Sequence, residues 1–205
     1  MVKETPMNIL EHAATQTPEQ KAKRSIGGAS GILYDVFNFQ PWMINLHDIA
    51  TGMSKKCRWN GQINTDEIFS VAQHSVYVSR LCGSDVYDRL AGLLHDASEG
   101  IMVDLITPLK RQMPDFRTVE DDVQDKIFAH FGIEMTEQRE KVVATADRLC
   151  LQMESLEFDS IIHGEYMTDT KLFDFFTGDQ LMGCKKAKAF WIAEFNSVMS
   201  EILTR

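Results

Sequence analysis

Apolar residues recur along this chain in steps of three and four, the spacing of one helix face. Ile49, Met53 and Cys57 follow a polar start at Asn45 and Asp48, which predicts a helix ending near Asn60-Gly61. Phe69, Ala72 and Val76, with Val71 and Val78 beside them, predict a second over 66–82. Leu90, Leu93 and Leu94 predict a third over 86–97 behind a Ser84/Asp85 cap, antiparallel to the second in the core. Thr107-Pro108 interrupts the pattern, and Val119, Val123, Ile127 and Phe131 then repeat over 115–131 before Gly132. Thr136 opens a long helix to Gly164, striped by Val142, Val143, Ala146, Leu149, Cys150, Met153 and Leu156. The last helix, Cys184 to Leu203, carries Phe190, Trp191, Phe195, Val198, Met199 and Ile202.

Two stretches depart from that period. Tyr34, Val36, Phe37, Phe39 and Trp42 alternate loosely around Pro41, which suggests a small extended or hairpin segment over 34–44. Residues 1–31 are polar and end in Gly27-Gly28-Ala29-Ser30-Gly31, so they are expected to form a flexible arm, with a short helix at most, ahead of a single domain over 32–205. The glycine cluster is not a phosphate loop, because it lacks the Gly-Lys-Ser/Thr ending. The predicted fold class is all-α, a compact helical bundle.

Composition narrows the function classes. A net charge of −9, from 21 Lys+Arg and 30 Asp+Glu, disfavours an extended nucleic-acid footprint or an anionic membrane surface. A small ligand in a local basic pocket stays open. Cys57, Cys82, Cys150 and Cys184 are far apart and without a Cys-x-x-Cys pair, as expected of reduced core thiols in a cytoplasmic protein. No run approaches the roughly 18 apolar residues of a membrane span, and the charged N-terminus lacks a secretory apolar core. The 11 methionines fall mostly on the helix stripes and read as core filling.

The chemistry concentrates where the apolar run Leu90-Ala91-Gly92-Leu93-Leu94 delivers His95, Asp96 and then Glu99. Burying such groups is costly unless they are paired or bound to metal. On a continuous helix His95 and Glu99, four apart, share a face. His74 sits in the middle of an otherwise apolar helix, and Asp147 breaks the stripe of the long one. Two imidazoles and two carboxylates suit Mn²⁺, Fe²⁺, Co²⁺, Ni²⁺ or Zn²⁺, and spacing does not choose among them. Each residue alone also has a plain structural role: a satisfied core histidine, a solvated aspartate, a helix ending at its polar rim.

The order His74, then His95-Asp96, then Asp147 resembles the H…HD…D pattern of the HD-domain phosphohydrolases, an all-α superfamily. Six ordered segments between about 45 and 152 are similar to its bacterial 5′-deoxynucleotidase branch and phage relatives. They are Asn45-Leu46-His47-Asp48-Ile49-Ala50, Cys57-Arg58-Trp59-Asn60-Gly61, Phe69 to Val76, Leu94 to Glu99, Asp104 to Lys110, and Ala146-Asp147-Arg148-Leu149. His47-Asp48 is a second His-Asp dipeptide, but at a helix start both residues serve as cap residues.

The resemblance implies that His74, His95, Asp96 and Asp147 hold one divalent metal, which would activate water and polarise phosphorus. A second divalent ion accompanying the phosphates is a further expectation. Glu99 and Asp104 match the positions associated with general acid/base work. Arg58 and Lys110 supply positive charge for phosphate oxygens, and Trp59 matches the ring that shapes the sugar pocket. The implied activity is metal-dependent hydrolysis of deoxyribonucleotides by a homo-oligomer. First choice is a dATP triphosphohydrolase releasing deoxyadenosine and tripolyphosphate, as in phage relatives, and the runner-up is a 5′-deoxynucleotidase acting on monophosphates. A non-catalytic nucleotide sensor is the alternative of another class, disfavoured because binding alone needs no proton donor such as Glu99 or Asp104. The N-terminal arm and the chain beyond about 160 carry no segment of the likeness.

Overall fold

The computed structural model of the protein describes residues 9–160, 166–177 and 179–205. Its elements in order are α1 (Ile9–Ala14), α2 (Pro18–Lys23), β1 (Ile26–Gly27), β2 (Leu33–Tyr34), α3 (Leu46–Lys55), α4 (Val71–Leu81), α5 (Val86–Leu94), α6 (Thr107–Lys110), α7 (Pro114–His130), α8 (Glu137–Glu157), α9 (Leu172–Phe175) and α10 (Cys184–Leu203). The architecture is all-α, with one two-residue antiparallel pair, Ile26 opposite Tyr34 and Gly27 opposite Leu33. Among the described residues no helix is long and apolar enough to cross a membrane.

Helix α4 is the axis. Its residues Val71 to Ser79 are all buried, because α3, α5, α8 and α10 pack around it. Gly92 lets α5 approach closely, since a β-carbon there would stand 2.6 Å from Cys82 Sγ and 3.2 Å from Ser79 Cα. Trp191 of α10 is fully buried and donates its indole N–H to the Leu93 carbonyl, 3.3 Å away, seating α10 against the end of α5.

Long-range contacts redraw several predicted boundaries. Helix α3 ends at Lys55 rather than near Asn60-Gly61, because the extended Lys56 turns Cys57 into an antiparallel bridge with Ser70. Arg58 N–H then donates to the Phe69 carbonyl and Val71 N–H to that of Lys56. Helix α4 starts at Val71 rather than Asp66, capped by Ser70 Oγ accepting from Gln73 N–H. Thr107-Pro108 opens the short α6, and α9 arises where no helix was expected. Helix α8 closes at Glu157, and part of its expected extension to Gly164 lies outside the described residues.

The N-terminal stretch also differs from a flexible arm over its described residues, where α1, α2 and β1 form. Arg24 grips Asp35 through two charge-assisted bonds of 2.7 and 2.6 Å. The hairpin lies at 26–34 rather than within 34–44, and beyond Tyr34 the chain makes two 3-10 turns, Val36–Asn38 and Pro41–Met43. The buried Asp48 anchors the hairpin, accepting from Ser30 N–H at 2.8 Å, Ser30 Oγ at 2.6 Å and Tyr34 OH at 2.7 Å. His47-Asp48 therefore belongs to a capped helix start and a hairpin anchor.

Candidate metal centre and cleft

His74 reaches the centre from the middle of α4, where every buried polar neighbour has a protein partner. Gln73 bonds Tyr77 OH and the Gln180 carbonyl and accepts from Met182 N–H, Ser75 Oγ donates to the Val71 carbonyl, and Ser79 Oγ to that of Arg89. His74 Nε2 and His95 Nε2 are buried and make no well-directed hydrogen bond, their polar neighbours being the carboxylate oxygens of Asp147 and Asp96. Buried polar atoms without a well-directed bond are rare.

His95 and Asp96 lie where α5 breaks. The helix stops at Leu94, and a 3-10 turn over Ala97–Gly100 comes next. Gln124 of α7 spans the break, donating to the Leu94 carbonyl at 2.8 Å and accepting from Ser98 N–H at 3.0 Å. This replaces the lost helical bonds and overturns the expectation that His95 and Glu99 share one helix face. Asp147 comes from α8.

The four side chains converge. His95 Nε2 lies 3.1 Å from Asp96 Oδ2 and 3.8 Å from Asp147 Oδ1, and His74 Nε2 lies 3.1 Å from Asp147 Oδ1 and 3.9 Å from Asp96 Oδ2. Ligand bonds of about 2.0–2.2 Å separate neighbouring donors by roughly 3 to 3.6 Å in octahedral or tetrahedral geometry, so the two 3.1 Å pairs suit a shared divalent ion. The donor atoms of His74, His95 and Asp96 all lie within 4.8 Å of one another, and Asp147 meets the group through the two histidines. The remaining imidazole nitrogens are committed elsewhere: His95 Nδ1 to the Gly92 carbonyl at 2.8 Å and His74 Nδ1 to Glu154 Oε1 at 2.5 Å. Bonds of that kind fix the tautomer and aim Nε2 at a metal.

Electrostatics point the same way. Burial and the Arg58 charge act to lower the His74 imidazole, but Glu154 and Asp147 outweigh them and hold it well above its ordinary value. Burial likewise opposes His95, and Asp96 and Asp147 raise it. Burial would raise both aspartates, yet His95, His74 and Arg58 hold Asp96 well below the carboxylate range, and the two histidines with Arg58 bring Asp147 to about 2. The centre is a concentrated negative charge that protons or a cation must neutralise.

A cleft of about 570 Å³ opens beside it, lined by Arg58, Trp59, Asn60, Asp96, Glu99, Asp104, Thr107, Lys110 and Asp147 among others. Seven of the nine candidate residues line this cleft, and the other two, His74 and His95, contact its Asp147 and Asp96. Arg58 Nε is buried without a partner. Trp59 and Asn60 both adopt left-handed backbone, φ 58° and 52°, a conformation costing a non-glycine residue about 1–3 kcal/mol and found where a site constrains the chain. Lys110 Nζ lies 2.9 Å from Glu120 Oε1 and 3.5 Å from Glu99 Oε1, so its charge is already shared. Burial, with Asp96 and Asp104 nearby, pushes the Glu99 carboxyl up to about 9 against the pull of Lys110, and its Oε2 is unpartnered. Lys56 Nζ donates to the Glu99 and Met102 carbonyls, tying the Glu99 turn to the end of α3.

Glu154, Lys56 and Glu120 were not among the residues that the sequence singled out. Glu154 carried a signal: it stands seven residues after Asp147, on the same face of α8, and adds a second carboxylate to an apolar stripe. Lys56 and Glu120 carried none, since both resemble ordinary surface charges.

No protein-family model matches the chain. It is 36% identical over 110 residues to an uncharacterised protein of Rhodobacter capsulatus, covering 51% of this chain and 56% of that one. It is 35% identical over 100 residues to the uncharacterised protein YfdR of Escherichia coli, covering 49% of this chain and 53% of that one. The chain spans about half the length of the curated relatives it matches.

Proposed function

We propose that the protein is a metal-dependent hydrolase of deoxyribonucleotides, with dATP as first substrate and deoxyadenosine and tripolyphosphate as products. The observation that carries this reading is the convergence of two buried imidazole atoms, His74 Nε2 and His95 Nε2, on Asp147 and Asp96, the two carboxylates that line a cleft also holding Arg58 and Lys110. Such donors fit Mn²⁺, Fe²⁺, Co²⁺, Ni²⁺ or Zn²⁺. When bound, the ion supplies Lewis-acid activation of water and of the phosphoryl group.

The chain's own residues do the rest. Arg58 and Lys110 bind phosphate oxygens and orient the α-phosphorus, a fork and a point charge respectively. Water adds to that phosphorus and the bond to the 5′ oxygen breaks. Glu99, held protonated near neutral pH, gives its proton to the departing 5′ oxygen from Oε2. Asp104 faces the same cleft and receives the proton lost by water. Trp59 walls off the sugar.

A second pocket of about 320 Å³ shares Lys110 with the cleft and adds Arg111 and Arg117, which supports a polyphosphate chain. The runner-up, a 5′-deoxynucleotidase, is favoured by a different observation. Glu120 and Asp121 line that pocket too and already engage Lys110 and Arg117, at 2.9 and 3.6 Å, leaving less free charge for a tail. Purified protein with Mn²⁺ or Co²⁺ and a panel of deoxynucleoside mono- and triphosphates, products separated by chromatography, decides between them. Turnover of none of the panel overturns both.

A further inference from the structure

Glu154 is fully buried in α8, and its two oxygens face different parts of the site. Oε1 accepts from His74 Nδ1 at 2.5 Å and from Cys150 Sγ at 3.4 Å. Oε2 accepts from Trp59 Nε1 at 3.0 Å and stands 3.5 Å from Arg58 Nη2. One carboxylate thus joins a metal-facing imidazole to both residues that would meet the substrate's sugar and phosphate. Charge drawn toward one oxygen is withdrawn from the other, and a carboxylate is rigid, so a shift at His74 is felt at the indole. The left-handed backbone of Trp59 and Asn60 adds to this, because such a turn persists only where its surroundings hold it, and the indole bond to Glu154 is one of those holds.

We propose that Glu154 is a positioning residue that couples the metal centre to the Arg58–Trp59 wall, so that loading the cation sets the wall before nucleotide arrives. The inference rests on the proposed metal-dependent reading and adds that the two halves of the site are one energetic unit. Coupling of this kind is reciprocal: if the cation sets Trp59, then Trp59 affects affinity for the cation.

Zn²⁺ alone, without nucleotide, is the probe. Calorimetry gives its affinity, and tryptophan fluorescence reports the wall, with Trp59→Phe isolating Trp59 from Trp42 and Trp191. The native protein is expected to bind Zn²⁺ with a change in the Trp59 signal. Glu154→Gln is expected to weaken Zn²⁺ by about 10- to 100-fold, the scale of losing a ligand's supporting partner, and to erase the Trp59 response. Trp59→Phe is expected to shift Zn²⁺ affinity by about 3-fold or more in the native background and to leave it unchanged in the Glu154→Gln background, an effect of pairwise coupling that loss of packing does not produce.

Zn²⁺ affinity indifferent to Trp59→Phe in the native background, or a Trp59 response surviving in Glu154→Gln, overturns the coupling while the metal reading stands. Failure of the native protein to bind Zn²⁺ any better than His74→Ala overturns both. Should Glu154→Gln not fold, Glu154→Asp takes its place: it keeps the charge but cannot reach both partners, so it too must lose the Trp59 response. The Trp59→Phe comparison in the native background decides by itself if neither folds.

Discussion

Gly52 of α3 and Gly100 beside Glu99 meet backbone to backbone. A β-carbon on Gly52 would overlap the Gly100 carbonyl oxygen, and one on Gly100 would stand 2.7 Å from the Ile49 carbonyl oxygen. With Lys56 donating to the Glu99 and Met102 carbonyls, this contact seats the turn that carries Glu99 on a rigid helix. Gly52→Ala is therefore expected to cost about 1–3 kcal/mol by overpacking. It should also lower kcat more than Zn²⁺ affinity, because His74 and Asp147 come from other helices. Melting curves and a Zn²⁺ titration beside steady-state kinetics check it, and native kcat in a folded Gly52→Ala protein sinks the idea.

Cation binding should compete with protons. His74 and His95 are held above their ordinary value by the surrounding carboxylates, so in the metal-free protein they keep protons that a cation must displace. Their contribution to metal-free stability is accordingly fully present below about pH 6.5, the unfolded value, and is lost as pH rises through the higher folded values. Zn²⁺ affinity rises with pH over that window. Calorimetry in buffers of different ionisation enthalpy should show proton release on binding, and a heat independent of buffer would count against it.

Glu99 should separate binding from turnover. Glu99→Ala is expected to retain Zn²⁺ and nucleotide while turnover falls about 10²-fold or more, the usual scale for a positioned acid or base. Loss of metal together with activity would instead make Glu99 a ligand.

The same carboxyl makes a stability prediction. Raised from 4.5 to about 9, it adds stability present below pH 4.5 and lost as pH rises toward 9. Metal-free Glu99→Gln should thus melt higher than the native protein at the alkaline end of that window and no higher at its acid end. A cation at the centre narrows the difference by drawing the Glu99 value down toward neutrality. Melting curves across that range, with and without Zn²⁺, provide the measurement.

Trp59 lines the cleft and also packs against the core, so its two roles need separating. If the ring excludes a 2′-hydroxyl, Trp59→Ala narrows the dATP/ATP ratio of kcat/KM by about 10- to 100-fold, chiefly by improving ATP, since a buried unpartnered hydroxyl costs about 1–3 kcal/mol. If the ring only packs, the variant loses stability and both sugars suffer alike. An unchanged ratio in a destabilised protein excludes the sugar gate.

The amino-acid order by itself carried the fold class and most helix cores, because a helix face is a local property written every three to four residues. Helix α10 runs over Cys184–Leu203 as its apolar stripe requires, α7 starts one residue before Asp115, and α5 starts behind its Asp85 cap. The candidate ligands were legible for the same reason: His74 and Asp147 each interrupt an apolar stripe, and His95-Asp96 ends one. Tertiary structure decided what depends on partners distant in the chain. Helix α5 stops at Leu94 because Gln124, thirty residues on, takes over its hydrogen bonds, and α3 stops at Lys55 because Cys57 bridges Ser70. Asp48 became a hairpin anchor only once Ser30 and Tyr34 were folded against it. Glu154 shows the division most clearly. Its place seven residues after Asp147 is local and visible, but its two oxygens acquire different tasks only when α4 brings His74 to one and the left-handed turn brings Trp59 to the other.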